Sequence, residues 1–495
     1  MIPPRFRKWL WVAALAAGFG LRLFFVLKFP TSSGDVAIYR GLAFNWRDHG
    51  TYGLVADGKL APVDIRVPGY PAFILAVASL FGRGDLPLML AQTAMDLGTC
   101  VLIALIAGMF VQLFPDSKRT ELVRGRVELA ALWFACLCPF VADYCAVPLT
   151  EVPAAFFTAA ALFAFAKGFI EDSEARTRWW LLGGFFSGIA TMIRPESPLI
   201  VITFAIVAAW RWLGPQRGEG RHRREWSRLL RIGALCACGF ILPVLPWTIR
   251  NAVTLHEFQP VAPRYANSPG DFVPVGFYAW TKTWLVRYRY VYLTIWKVTD
   301  EPVSIDDLPP SAFDNDAERD RVTKLFDDYN DNCCDPPPGW DESFAGLARE
   351  RTARHPLRTH LKIPFERVFV LWLTPRIELL PYSGELWPWQ KRHHDEPEDF
   401  DTTVVLFAVG LIYVSLGVAG FLRAATFICN RARPFPHPQA YVIALLAAYC
   451  IVRTAFLTQI ETPEPRYVLE AFPALLAAIG LLFVPKTPVD ASPET

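Results

Sequence analysis

Apolar runs of about twenty residues recur along this chain, and each is long enough to cross a hydrocarbon core roughly 30 Å thick as a helix. Composition agrees with that reading. Of 495 residues, 53% are hydrophobic, 14% aromatic and only 19% charged, and the mean hydropathy is +0.27. The length alone would accommodate several soluble domains, but these runs make the chain an all-α polytopic membrane protein. A net charge of +2 excludes little, because the charge is segregated along the chain.

The first run, Trp9 to Phe29, follows Arg5, Arg7 and Lys8. It is too long for a signal-peptide core and lacks a small-residue cleavage site, so it reads as a retained helix. Further spans are Leu86 to Phe114, Val127 to Val141, Pro148 to Phe169, Trp179 to Ile193, Pro195 to Trp212 and Leu229 to Ile249. Thr402 to Leu422, Ala440 to Thr458 and Tyr467 to Val484 complete a count of about ten, with both termini inside. Tyr70 to Phe81 is too short to cross and reads as an interfacial helix.

Lys and Arg accumulate on cytoplasmic loops. Lys118, Arg119, Arg124 and Arg126, then Arg217, Arg221, Arg223, Arg224 and Arg228, then Arg423, Arg431 and Arg433, therefore mark the inner side. Orientation explains these clusters without nucleic acid as a partner. The chain divides into a transmembrane module over 1–250 with its first outer loop at 30–71, an outer region over 251–400, and C-terminal helices over 401–495.

Within the outer region, Asp300 to Glu342 is acidic and proline-rich, includes Asp306, Asp307, Asp327, Asp328, Asp331 and Asp335, and reads as a solvated surface. The glycine and closing glutamate of an EF-hand loop are missing. Ile363 to Trp389 mixes Phe365, Trp372, Trp387 and Trp389 with Arg367, Arg376 and Glu378, as an amphipathic segment at the headgroups would. Most of the ten cysteines sit in apolar runs as small buried hydrophobes. Cys136-Leu-Cys138 and Cys236-Ala-Cys238 lack ligands at zinc-site spacing. A bridge between Cys333 and Cys334 would be strained, so these read as free or paired elsewhere.

The loop at 30–71 opens with Ser33-Gly34-Asp35-Val36-Ala37-Ile38-Tyr39 and closes with Ile65-Arg66-Val67-Pro68-Gly69-Tyr70-Pro71. Between them lie Asp48, Asp57 and Asp64 and two turn sequences, Asp48-His49-Gly50 and Ala56-Asp57-Gly58. The topology sends further charges to the same face. Asp143 and Glu151 flank a hinge, Arg194-Pro195-Glu196 forms an outer turn, Arg250-Asn251 ends the seventh span, and Arg453, Glu461, Glu464 and Arg466 cluster near the last helix pair. Ionisable groups at membrane depth are costly and face a cavity or one another. Each has a plain structural reading too. The loop could be a solvated connector, Glu151 and Arg194 an ion pair, Arg250 and Arg466 snorkelling anchors, and Asp96 a hydrogen-bonding partner for a neighbouring helix.

Four stretches together resemble the integral-membrane glycosyltransferases of GT-C architecture. They are Gly34-Asp35 with Tyr39, Arg66-Val-Pro-Gly-Tyr-Pro71, Leu149-Thr150-Glu151, and Leu245-Pro246-Trp247-Thr-Ile-Arg250-Asn251. Ile193-Arg194-Pro195-Glu196 and Pro465-Arg466-Tyr467 fit as well. The likeness is to the family 39-like superfamily of protein O-mannosyltransferases and lipid A aminoarabinose transferases. Protein mannosyltransferases carry Asp-Glu in the first loop, whereas here Val36 follows Asp35, so the bacterial lipid- and glycan-modifying branch is the better match.

The resemblance implies a polyprenyl-phosphate sugar donor, a cell-envelope lipid or glycan acceptor, inversion at the anomeric carbon, and an outer-face site in a bacterial inner membrane. It makes Asp35 the general base, with Glu151 assisting, and Arg66, Arg250, Arg466 and Arg194 the groups that bind the donor phosphate. Asp143, Tyr39, Glu196 and Arg453 are accessory candidates. No cofactor is assigned, and the use of a divalent metal stays open. The alternatives are a polytopic transporter or lipid flippase, whose site lies near the midplane, and a non-catalytic partner in an envelope complex.

Overall fold

The computed structural model describes residues 4–31, 34–56, 58–113, 120–171, 176–213, 222–267, 270–332, 334–374, 397–429 and 438–484. Helix α1 (Pro4–Lys28) leads into α2 (Gly34–His49), a hairpin of β1 (Gly53–Ala56) and β2 (Lys59–Pro62), α3 (Gly69–Phe81) and α4 (Asp85–Met109). Then come α5 (Thr120–Cys136), α6 (Pro139–Ala142), α7 (Glu151–Ile170), α8 (Arg176–Ile193), α9 (Leu199–Leu213) and α10 (His222–Thr254). The segment between α10 and α15, expected on the outer side, carries α11 (Val275–Thr281), α12 (Asp316–Asp331), α13 (Trp340–Arg354) and α14 (Ile363–Leu373). The chain closes with α15 (Pro397–Cys429), α16 (Pro438–Leu457) and α17 (Phe472–Ile479).

Among the described residues, seven helical stretches are long and apolar enough to cross a membrane: α1, α4, α7, α10, α15, α16 and Pro465–Phe483, which contains α17. An eighth crossing is broken. It joins α5 to Pro139–Ala146 with a 56° bend, placed where Pro139 has no N–H and forces Cys138 into an extended conformation. Among the described residues the count is thus seven or eight, and the expected count of about ten is not confirmed. Arg176 and Arg178 in the first turn of α8 shorten its apolar part, and α9 has only 15 residues. As expected, α3 is a short apolar helix of 13 residues.

Two close approaches set the frame for the site. At Gly239 on α10, a methyl would overlap the Leu181 carbonyl of α8, so only glycine lets these helices meet. At Gly69, the start of α3, a methyl would overlap the Met192 carbonyl. The Arg66–Pro71 stretch is thereby pressed against the end of α8, where Arg194 follows.

The first outer loop is more ordered than a connector. Val36, Leu42 and Ala43 are buried on one side of α2, and the hairpin turns through Gly58 at φ +74°. The segment between α10 and α15 has a core of its own, in which Phe277, Trp280, Trp340 and Phe344 are buried together. The acidic stretch is a solvated surface only in part. Asp327, Asp328, Asp331 and Asp335 are exposed, but Glu318 is buried, the Asp314 side chain is largely covered, and both are ion-paired within the set Arg351, Arg354 and Arg358. Exposed Phe365 opposite buried Arg367 gives α14 two unlike faces. Arg376, Glu378, Trp387, Trp389 and Cys333 lie outside the described residues; Cys334 is a free thiol.

Candidate active site

Apolar positions Val36, Tyr39, Leu42 and Ala43 recur at helical spacing, so the polar loop folds as α2 with that face inward. Asp35 then falls in its first turn, where the helix dipole favours a carboxylate. Its side chain is 33% exposed. Arg66, held by the α3 packing, donates from Nη2 to Asp35 Oδ1 at 3.1 Å.

Glu151 is the first residue of α7 and its side chain is only 4% exposed. Arg194, just past α8, donates from Nη1 to Glu151 Oε1 at 3.1 Å and from Nε to Glu196 Oε1 at 2.8 Å. It also reaches Glu470 Oε1 at 3.1 Å. Arg466, in the turn Pro465–Ala471, bridges the two regions. It lies 3.6 Å from Asp35 Oδ2, 3.6 Å from Glu151 Oε1 and 2.5 Å from Glu464 Oε2. Behind them, Arg453 of α16 contacts Glu470 at 2.7 Å and Glu196 at 3.5 Å, and donates to the Tyr467 carbonyl at 2.9 Å.

Tyr39 stands edge-on to Tyr70 at 5.2 Å and within electrostatic reach of Asp35, Glu151, Arg66 and Arg194. Burial pushes its phenol above the ordinary value. Tyr70 is itself fixed, donating to Gln92 Oε1 at 2.7 Å, while Gln92 Nε2 donates to the Val147 carbonyl at 2.8 Å.

Seven sequence candidates besides Tyr39 thus meet: Asp35, Arg66, Glu151, Arg194, Glu196, Arg453 and Arg466. Two sit elsewhere. Arg250 donates to the Tyr52 carbonyl at 2.6 Å and the Val63 carbonyl at 2.9 Å, and stacks over Trp247 at 5.0 Å, bracing the hairpin. Asp143 is fully buried and accepts from the Tyr144 N–H at 2.9 Å. Asp96 bonds a neighbouring helix, as expected, through the buried Arg22 of α1 at 2.6 Å.

Sequence reasoning missed Glu470, which joins Arg194 to Arg453. The signal was present, because Glu470 is an acid inside an apolar run. Glu464 was noted only as part of a cluster, yet it is buried and accepts from the Tyr467 hydroxyl at 2.7 Å.

Four arginines (Arg66, Arg194, Arg453 and Arg466) face five carboxylates (Asp35, Glu151, Glu196, Glu464 and Glu470). Pairing is what makes such burial affordable. Glu151 Oε2 and Glu464 Oε2 are both buried without a hydrogen-bond partner among the described residues, but Glu464 Oε2 lies against the Arg466 guanidinium, whereas at Glu151 it is Oε1 that two arginines share. Arginines rather than a cation neutralise these acids, and among the described residues no group of three or more His, Cys, Asp or Glu is arranged to hold a metal ion. The residues as placed do not fit a divalent metal. They provide a half-exposed carboxylate, a buried one beside it, and guanidinium donors turned toward both.

No family model and no curated protein sequence matches the chain. Solved structures align with it along the backbone. The oligosaccharyltransferase AglB from Archaeoglobus fulgidus, in complex with an inhibitory peptide and a dolichol-phosphate, aligns over 96% of this chain and 50% of its own, with TM-score 0.48 and 13% identity. The chain therefore spans about half the length of that protein. ArnT from Cupriavidus metallidurans, bound to undecaprenyl phosphate, aligns over 96% of this chain and 76% of its own, with TM-score 0.37 and 12% identity. At these scores and identities the alignments assign no residue and no reaction.

Proposed function

We propose that this protein is an inverting GT-C-type glycosyltransferase. It moves a sugar from a polyprenyl-phosphate donor to a hydroxyl of a cell-envelope lipid or glycan, at the outer face of a bacterial inner membrane. The observation that carries this reading is the meeting of Asp35, Arg66, Glu151, Arg194 and Arg466, drawn from four distant parts of the chain, around one partly exposed carboxylate.

Each carboxylate oxygen has a second lone pair, so Asp35 can accept from an incoming hydroxyl while Arg66 and Arg466 hold it in place. Asp35 takes the hydroxyl proton as the acceptor oxygen attacks the anomeric carbon. The bond from that carbon to the phosphate oxygen breaks on the opposite face, and polyprenyl phosphate leaves with the electron pair. Charge grows on the phosphate in the transition state, where fixed guanidinium donors are most effective. Arg66 and Arg466 supply the planar, two-pronged donors that match phosphate oxygens. Glu151 and Arg194 fix Arg466 from behind, and Arg250 supports the loop that presents Arg66.

The test is to incubate the purified protein in lipid with a panel of polyprenyl-phosphate sugars and acceptors and to measure released polyprenyl phosphate. Release with at least one donor is expected. Transbilayer movement of the lipid without release marks a flippase instead.

A further inference from the structure

Within the cluster, Arg194 and Arg466 each meet three carboxylates, but only at Arg466 does one of the three lack a second arginine among the described residues. Arg466 lies against Glu464 and Glu151 through Nε, at 2.5 and 3.6 Å, and against Asp35 through Nη2, at 3.6 Å, so a phosphate approaching either nitrogen meets a carboxylate already there. With acids outnumbering arginines, adding an anion raises an imbalance that already exists. Something must give up its charge or move.

Glu464 is the group placed to do so. Asp35 and Glu151 are each held by a further arginine, Arg66 and Arg194 respectively. Glu464 has only Arg466 as an ion partner among the described residues, and its other oxygen accepts from the neutral Tyr467 hydroxyl. It is 3% exposed, so losing Arg466 would leave a buried, uncompensated carboxylate, a costly state that protonation removes. The charged and titratable groups facing it are Arg466 and Tyr467 from its own segment and Glu151 from α7; beyond Arg466 lie Asp35, and beyond Tyr467 lie Arg194 and Arg66. No cation besides Arg466 contacts it within ion-pair distance among the described residues.

We infer that Glu464 is an exchangeable counter-ion for Arg466: it occupies that guanidinium in the free protein, yields it to a lipid-linked phosphate, and takes up a proton as it does so. This rests on the lipid-phosphate reading above. Burial already pushes the Glu464 carboxyl above its ordinary range, against the pull of Arg466 beside it. Glu464 is thus a positioning residue. It never touches substrate but sets how readily Arg466 can. Donor binding strengthens as pH falls and weakens as pH rises, with the proton drawn from solvent.

The probe is the methyl ester of undecaprenyl phosphate, a phosphodiester whose single charge does not titrate near neutrality. Binding to the full-length protein in nanodiscs is followed by calorimetry in buffers of different ionisation enthalpy, which counts protons. For the wild type at pH 7.5 we expect uptake approaching one proton per lipid bound, and affinity falling about tenfold per pH unit at higher pH, the limit for one linked proton. Glu464→Gln, which keeps shape and hydrogen bonding, should bind about tenfold tighter with no uptake. Glu464→Asp should restore the pH dependence. Binding by the wild type without proton uptake overturns the inference whatever the variants do, and so does a Glu464→Gln protein that binds and titrates like the wild type. Absence of wild-type binding from pH 5.5 to 8.5 instead overturns the lipid-phosphate reading and the inference with it.

Discussion

Arg351, Arg354 and Arg358 meet Asp314 and Glu318 within the one segment between α10 and α15, whereas the arginines around Asp35 come from positions hundreds of residues apart. The chemistry is the same and the arrangement is not. Arg351 directs its donors to Glu318, Thr283 Oγ1, and the Ala312 and Ser311 carbonyls, the last three at 2.8, 2.9 and 3.0 Å. Glu318 is shared with Arg354 at 2.7 Å and Asp314 with Arg358 at 2.6 Å. Arginines outnumber acids there, and the partners are close in sequence. At the other network acids outnumber arginines, Asp35 is open to solvent, and Glu151 Oε2 has no partner among the described residues. A network that folds an element closes on itself. One that takes a ligand, as proposed for the Asp35 cluster, leaves a carboxylate to be approached.

The sharpest way to break this contrast is Asp35→Asn. It should lower turnover by about 10²- to 10⁴-fold, the range of a lost general base, with the unfolding midpoint unchanged. Near-normal release of polyprenyl phosphate would remove Asp35 as the base. Arg351→Met should do the reverse. Glu318 then keeps only the half-exposed Arg354, and the loss should approach the ~3–5 kcal/mol of a broken buried pair, while molecules that remain folded turn over normally, as thermal unfolding and active-fraction titration would show. Unchanged stability would mean that this network is not closed.

Two arginines that the sequence pattern offers for the donor phosphate sharpen the comparison further. Arg466→Lys keeps a charge but loses the planar fork, so the donor KM should rise about tenfold while the acceptor KM holds. Arg250→Lys should affect both substrates alike and by less, because its guanidinium grips the Tyr52 and Val63 carbonyls of the hairpin. A donor-selective effect would return Arg250 to the phosphate.

The membrane class was legible because bilayer thickness dictates the length of an apolar run. So was the set Asp35, Arg66, Glu151, Arg194, Glu196, Arg453 and Arg466, since charge at the outer ends of helices is expensive enough to stand out. Their pairing was not legible. Nothing local to Arg466 says that its partners besides Glu464 lie at positions 35 and 151. Helix α2 was masked by polar composition, although Val36, Tyr39, Leu42 and Ala43 have its spacing. Glu470 was hidden by the apolar residues around it, and Arg22 likewise within the first run. Arg250 at the end of a span carries the same sequence signature whether it clamps a ligand or braces a loop.

The smallest expected effect marks the boundary of the closed network. Arg321 and Glu350 pair on the outer surface of α12 and α13, with Nη1 to Oε2 at 2.9 Å and Nη2 to Oε1 at 3.2 Å. Both side chains are about half exposed, at 53% and 50%. Two-pronged geometry favours the pair, but water and salt screen it, and ordering two long side chains offsets much of the gain. A double-mutant cycle of Arg321→Ala and Glu350→Ala should therefore give a coupling of about 0.2–1 kcal/mol that fades at high salt. Turnover should not move. A coupling several times larger would mean that Glu350 shares in the buried Arg351–Glu318 pairing through Arg354, whose Nε donates to the Glu350 carbonyl at 3.4 Å. The network would then extend to the surface, and its contrast with the open one at Asp35 would be one of degree.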